Sequence, residues 1–443
     1  MLEPPTPEDE DNIMAALKLS DRVSSISLTT TSPLLAKLSA VQEPFLELEQ
    51  LVLLSQENVQ LTLPGTFRWG PRLSILRTTR VAIPSLPRLL LPSRGLTELQ
   101  LDEIPSPGYF SPEAFVNALS GMTQLRTLSL HFYSFPSRRN YLSLPPPPEE
   151  RVVLPALVYL KYRGTSKYLD CLAARIDAPR LGDIDITFFN QPTMDASQLC
   201  QFIDRIEIHN IHRQADILTS ERAVSISTSQ PGAPTRLKLG ISSEQLDWQL
   251  ASLAQICTHF SPLILRVEGL AIGTTELSSL QGDIDSDGEQ WVALIRSFSS
   301  AKDFRVAGEL ATCILSALAE PNANGEHSVW LPALRTLSLS GVEWTVTGPL
   351  GEAVESFIDS RRLSGSPIEV YPPHMRPRYS CTFCNRSFIQ LQHLNRHMRD
   401  EHIPRNICQY CGVFEWPPGR RDLFQRHLER VHPRTVTPQP YKY

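Results

Sequence analysis

The pattern Leu-x-x-Leu-x-Leu recurs along this chain, and the recurrence restricts its fold more than any other feature. It is complete at Leu96, Leu99 and Leu101, at Leu125, Leu128 and Leu130, and at Leu334, Leu337 and Leu339. Looser copies begin at Leu48, at Leu73, at Leu157 with Leu160 and Tyr162, and at Leu181 with Ile184 and Ile186. Their starts lie about 23 to 32 residues apart through the first half, near the roughly 20 to 29 of leucine-rich repeats. Residues two apart on a strand share a face, so each copy predicts a short strand with one apolar side. A lone unit cannot bury that side, but stacked neighbours can. The expectation is an α/β leucine-rich-repeat-like solenoid over 14–370.

One unit is legible in detail. After Leu101, Ser111 suits an N-cap and Pro112 the first helical position, while Phe115, Ala118, Leu119 and Met122 share a face and Gly121 ends the helix. The second half is more degenerate, with strands expected at 206–208, 237–239, 263–267 and 304–306 and an acidic insertion near 276–290 stretching one interval. Residues 134–155, with Pro145 to Pro148 in a row, read as a repeat-interrupting loop of polyproline character. Residues between the inward leucines should face outward: Glu98, Gln100 and Asp102; Thr127, Ser129 and His131; Tyr159, Lys161 and Arg163; Asp183, Asp185 and Thr187. Such a face suits a protein partner.

The C-terminal part carries different chemistry. Cys381-x2-Cys384-x12-His397-x4-His402 has the spacing of a two-cysteine, two-histidine zinc site. Tyr379, Phe388 and Leu394 stand at the framework positions of a small ββα finger over 379–402. All four tetrahedral positions are filled, so the ion would be structural rather than catalytic. Cys408-x2-Cys411-x15-His427-x4-His432 repeats the pattern over 406–432 with three extra residues, assigned to a loop holding Trp416, Pro417, Pro418 and Gly419. Two Zn2+ ions are therefore expected. Counting back from the histidines, Gln390, His393 and Arg396, then Arg420, Leu423 and Arg426, occupy the base-facing positions of DNA-reading fingers. Leu423 offers no hydrogen bond, and the connector 403–407 is short, which weakens a three-base-pair tracking geometry.

Charge and composition narrow the class. Residues 371–443 hold twelve Lys or Arg against five Asp or Glu, a net of +7, so the overall −5 leaves −12 on residues 1–370. Only the C-terminal part attracts a polyanion, DNA or RNA. The other four of the eight cysteines are dispersed, unlike a disulfide framework. No signal peptide or transmembrane span is legible, which points to the nucleus or cytoplasm. Residues 1–13 read as an acidic disordered N-terminus and 433–443 as a disordered tail. Asp283, Asp285, Asp287 and Gly288 open like an EF-hand loop, but Leu294 stands where its bidentate glutamate belongs. His209 and His212 lack a completing ligand. No phosphate-cradling loop, nucleophile elbow or small-molecule site is evident, so no enzyme is expected.

Three segments carry a resemblance: 162–169 (Tyr-Arg-Gly-Thr-Ser-Lys-Tyr-Leu), 173–190 around Ala173-Ala174-Arg175-Ile176-Asp177-Ala178-Pro179-Arg180-Leu181, and 357–368 around Ser360-Arg361-Arg362-Leu363-Ser364-Gly365. Over roughly 14–434 the chain resembles the F-box-associated leucine-rich-repeat proteins expanded in mushroom-forming fungi, some with a similar finger tail. The resemblance implies a substrate-recruiting solenoid. The chain departs from it in that Met1 stands almost directly before the solenoid, so an F-box is expected to be lost or truncated.

Overall fold

In the computed structural model the chain divides into two compact units, Met1–Val370 and Tyr371–Tyr443. The structure describes residues 7–371 except 39–40, 42, 56–60, 135–149, 190, 192–195, 207–212, 221–222, 230–235, 243–245, 261–263, 275–287, 308–309, 321–329 and 341–347, and then 379–380, 387–388, 406–407 and 415–416.

The first unit is built on one fourteen-stranded sheet. Its strands are β1 (Ser25–Thr30), β2 (Gln50–Ser55), β3 (Ile75–Thr79), β4 (Glu98–Ile104), β5 (Thr127–Phe132), β6 (Tyr159–Gly164) and β7 (Asp183–Phe189). They continue with β8 (Gln214–Ser220), β9 (Ala223–Ser229), β10 (Arg236–Ser242), β11 (Gly269–Thr274), β12 (Asp303–Ala307), β13 (Thr336–Ser340) and β14 (Glu369–Tyr371). The first seven add in chain order and in parallel. β10 then pairs parallel to β7, β9 lies antiparallel between β10 and β8, and β8 pairs parallel to β11. From β11 the order again follows the chain to β14.

Every leucine triplet is used in the same way. The first leucine precedes its strand, as Leu96 precedes β4 and Leu125 precedes β5, and the next two point inward from it. Leu96, Leu99, Leu101, Leu125, Leu128 and Leu130 are all buried. The inward face joins the helices in one continuous apolar core. These helices are α1 (Pro7–Leu17), α2 (Ser32–Leu38), α3 (Leu86–Leu90), α4 (Pro112–Leu119), α5 (Ser166–Ala173), α6 (Ser197–Arg205), α7 (Leu246–His259), α8 (Gly288–Ile295), α9 (Leu310–Ala319) and α10 (Pro349–Leu363). α4 starts as its residues dictate: Pro112 stands in its first turn, and Ser111 accepts from the Ala114 N–H at 3.2 Å.

Three expectations need correction. Residues 7–13 are not disordered but helical, in α1. Acidic residues suit a helix's first turn, and Glu10 is buried, accepting from the Thr31 hydroxyl at 3.1 Å and pairing with Lys37 at 3.1 Å. Ile206 is no strand residue: it caps α6 and is buried there. The strand expected at 263–267 lies instead at β11, because Val267 is the residue that precedes the strand while Leu270 and Ile272 are its inward pair. The acidic insertion ends at α8, with 275–287, like residues 433–443, outside the described residues.

The motif residues 162–177 act as fastenings between units. The Tyr162 hydroxyl donates to the Thr165 carbonyl at 2.8 Å, and its oxygen lies 2.5 Å from where a Cβ on Gly164 would stand. A side chain there would have to displace the buried Tyr162 ring. Thr165 caps α5 through the Tyr168 N–H. α6 has no cap of its own from Ala196; buried Asp170 on α5 supplies it, accepting from Gln198 N–H at 2.8 Å and Leu199 N–H at 2.9 Å. Arg205 returns the contact by donating to Asp177 at 2.6 Å and to the carbonyls of Ala173 and Ile176. Asp170→Ala is therefore expected to cost about 2 kcal/mol, read as a lower urea midpoint at unchanged slope; an unchanged midpoint would show that α6 needs no cap from α5.

Candidate zinc centres and the outward sheet face

The second unit is described at four short strands. Tyr379–Ser380 and Ser387–Phe388 pair antiparallel, with Tyr379 opposite Phe388. Asn406–Ile407 and Glu415–Trp416 pair likewise, with Asn406 opposite Trp416. In sequence the first pair brackets Cys381 and Cys384, and the second brackets Cys408 and Cys411. Trp416 thus belongs to a strand and not to the added loop. The eight candidate ligands Cys381, Cys384, His397, His402, Cys408, Cys411, His427 and His432 lie outside the described residues, as do Gln390, His393, Arg396, Arg420, Leu423 and Arg426.

Among the described residues, no group of three His, Cys, Asp or Glu could hold a metal ion. The EF-hand-like start at 283–287 and His209 and His212 lie outside them. Leu294, at the position that would ligate calcium, is buried in α8. Burial pushes the thiols of Cys171 and Cys257 up, to about 11 and about 12, so both are poor nucleophiles at neutral pH. No described helix is long and apolar enough to cross a membrane.

The residues expected to face outward do share one face, because strand register aligns them in rows. Glu98, Thr127, Tyr159 and Asp183 form the first row and Gln100, Ser129, Lys161 and Asp185 the second, which Lys238 extends. His131, Arg163 and Thr187 form the third, followed by Gly240. Asp102 sits beside this row where the β4–β5 register shifts. It accepts from the Gln100 amide at 2.5 Å and the Ser129 hydroxyl at 3.5 Å. Arg77 holds Glu98 through two N–H groups at 2.5 and 2.8 Å, and Arg80 holds Glu103. Sequence reasoning missed the rest of the face: on β8 to β13 the outward residues are mostly small, including Ser225, Ser227, Ala271, Gly273, Ala307 and Ser338.

Burial, reinforced by the nearby positive charge of Arg163, pushes the His131 imidazole down to about 4 from 6.5. Between those two values the unfolded chain binds a proton that the folded chain refuses, so stability falls as pH drops through the window. The loss should be about 1–2 kcal/mol after allowance for solvent screening at this half-buried position. Urea unfolding at pH 7 and pH 4.5 checks it: His131→Gln should show a smaller drop than the parent chain, and equal drops would refute the assignment.

Compared with known proteins, the chain matches no family model and no curated relative.

Proposed function

We propose that this chain is a zinc-binding, non-enzymatic interaction protein of the nucleus or cytoplasm. A leucine-rich-repeat-like solenoid over 14–370 offers its outward face to a protein partner, and two C2H2-type fingers each hold one Zn2+. The reading rests chiefly on one observation: within a separate compact unit, two antiparallel strand pairs bracket the two cysteine pairs, as a ββα finger requires. The spacing of the histidines supplies the other ligands. Zinc in this role completes a fold too small to stand alone.

A second reading is a DNA-binding regulator, favoured by the net +7 of residues 371–443 and by Gln390, His393 and Arg396 at base-facing positions. A purified 371–443 fragment tests both. Two zinc ions per fragment and loss of helix on chelation are expected, and unchanged helix content after chelation would sink the zinc reading. Binding to random and selected duplexes across a salt series then decides the use. A salt-sensitive signal with no sequence preference would eliminate the regulator reading.

A further inference from the structure

Arg163 stands apart from its neighbours on the outward face. Arg77 and Arg80 each hold a glutamate, and Lys238 lies 4.0 Å from Asp185. Asp102 spends its oxygens on Gln100 and Ser129. Among the described residues, no carboxylate lies within salt-bridge distance of Arg163 or Lys161. Arg163 is nevertheless held in place: one terminal nitrogen donates to the Ser242 hydroxyl at 3.1 Å, and the guanidinium lies 6.0 Å from the Phe189 ring centre. Its inner N–H is buried without a hydrogen-bond partner. A half-buried, oriented guanidinium with no counter-ion among the described residues is prepared for an anion that arrives from outside. Lys161, exposed on the same strand two residues away, adds a second positive charge.

Beyond Arg163 the third row loses relief. Thr187 is followed by Gly240 on β10 and Ser225 on β9, and then by Leu218 on β8, which is 38% exposed. Gly273 and Ala307 continue the row. Small side chains let another backbone lie close to the sheet, and Leu218 gives it an apolar contact. Four strand spacings separate Arg163 from Leu218, about 19 Å, which an extended chain spans in roughly six residues.

We propose that the outward face from β6 to β8 docks an extended acidic segment of a partner protein, with an Asp or Glu carboxylate on Arg163 and Lys161 and an aliphatic side chain five or six residues away on Leu218. The inference rests on the solenoid half of the function proposed above and is independent of zinc.

A random twelve-residue displayed peptide library, selected on the full-length chain, tests it. Enriched clones should pair an acidic residue with an aliphatic one at that spacing. Arg163→Gln or Lys161→Gln should lower their binding at least tenfold, Leu218→Ser about threefold, and Arg126→Gln, exposed just before β5, not at all. An unchanged thermal midpoint for Arg163→Gln separates lost docking from lost folding. Clones without acidic residues, no enriched clone, or acid-dependent clones that bind the Arg163→Gln chain equally well would each overturn the proposal. Acidic clones that bind the 371–443 fragment instead would overturn it too, while leaving the reading of an interaction protein intact.

Discussion

Replacing Cys381 with serine is expected to leave one zinc ion per chain where the proposed parent state has two, and to unfold residues 379–402 alone. The size of the effect follows from the size of the finger. The core expected from its sequence is little beyond Tyr379, Phe388 and Leu394, which would not offset the chain entropy of some two dozen residues. Structural zinc contributes an apparent ~10–16 kcal/mol in finger peptides at neutral pH, so losing one thiolate removes most of the free energy that orders the segment. Native mass spectrometry counts the ions, and proteolysis locates the unfolded stretch. Cys408→Ser should empty the second site with equal selectivity, since each strand pair is closed on itself. A Cys381→Ser chain that still carries two ions would refute the ligand assignment.

Arg361→Met is expected to destabilise the first unit by about 3–5 kcal/mol, from carbonyls that lose their donor. Arg361 is 2% exposed and has no carboxylate partner among the described residues. It donates to four carbonyls instead: Trp330 at 3.0 Å, Ser366 at 3.1 Å, Leu331 at 3.2 Å and Leu334 at 3.3 Å. Leu331 adopts a left-handed φ of 54°, a conformation that costs a branched side chain energy unless its surroundings hold it. Arg296 packs 4.2 Å from the Trp330 ring centre on the same segment. Methionine would fill much of the volume and remove the guanidinium donors from all four carbonyls, of which Leu331's keeps the Leu334 N–H at 3.0 Å; a buried carbonyl left without a donor costs ~1–3 kcal/mol. Arg361→Lys should recover part of the loss, because an ammonium cannot reach all four oxygens from one rigid fork. Urea midpoints of the three chains give the order; a loss below about 1 kcal/mol for methionine would show that the carbonyls find water instead.

These residues also show why some of the fold was legible and some was not. Leucines at fixed spacing encode a strand and the turn before it, so β2 to β7 and β13 could be read directly. Val267, Leu270 and Ile272 follow the same spacing, but the neighbouring Leu263, Ile264 and Leu265 drew the expected strand too early. β8 and β9 were missed because their inward residues, Ala215, Ile217 and Thr219, then Val224, Ile226 and Thr228, include no leucine, and the leucine of β8, Leu218, lies on the outward side. The helix at 7–17 was hidden by acidic composition, since what holds Glu10 lies at Thr31 and Lys37. For the candidate site, ligand spacing is local and visible in one dimension. The isolation of Arg163 is not, because it depends on which carboxylates three neighbouring strands have already engaged.

The reversed strand β9 limits how a chain of this kind can change length. Where parallel strands follow chain order, deleting or duplicating one whole unit leaves its neighbours still parallel and adjacent. Between β7 and β11 the order is β7, β10, β9, β8, β11, and removing β8 alone would set β9 against β11 with opposed directions. Removing β8 and β9 together restores a parallel series from β7 through β10 to β11. Loss of residues 214–229 together would therefore leave this part of the sheet wholly parallel, whereas loss of β8 alone would keep one reversed strand within it.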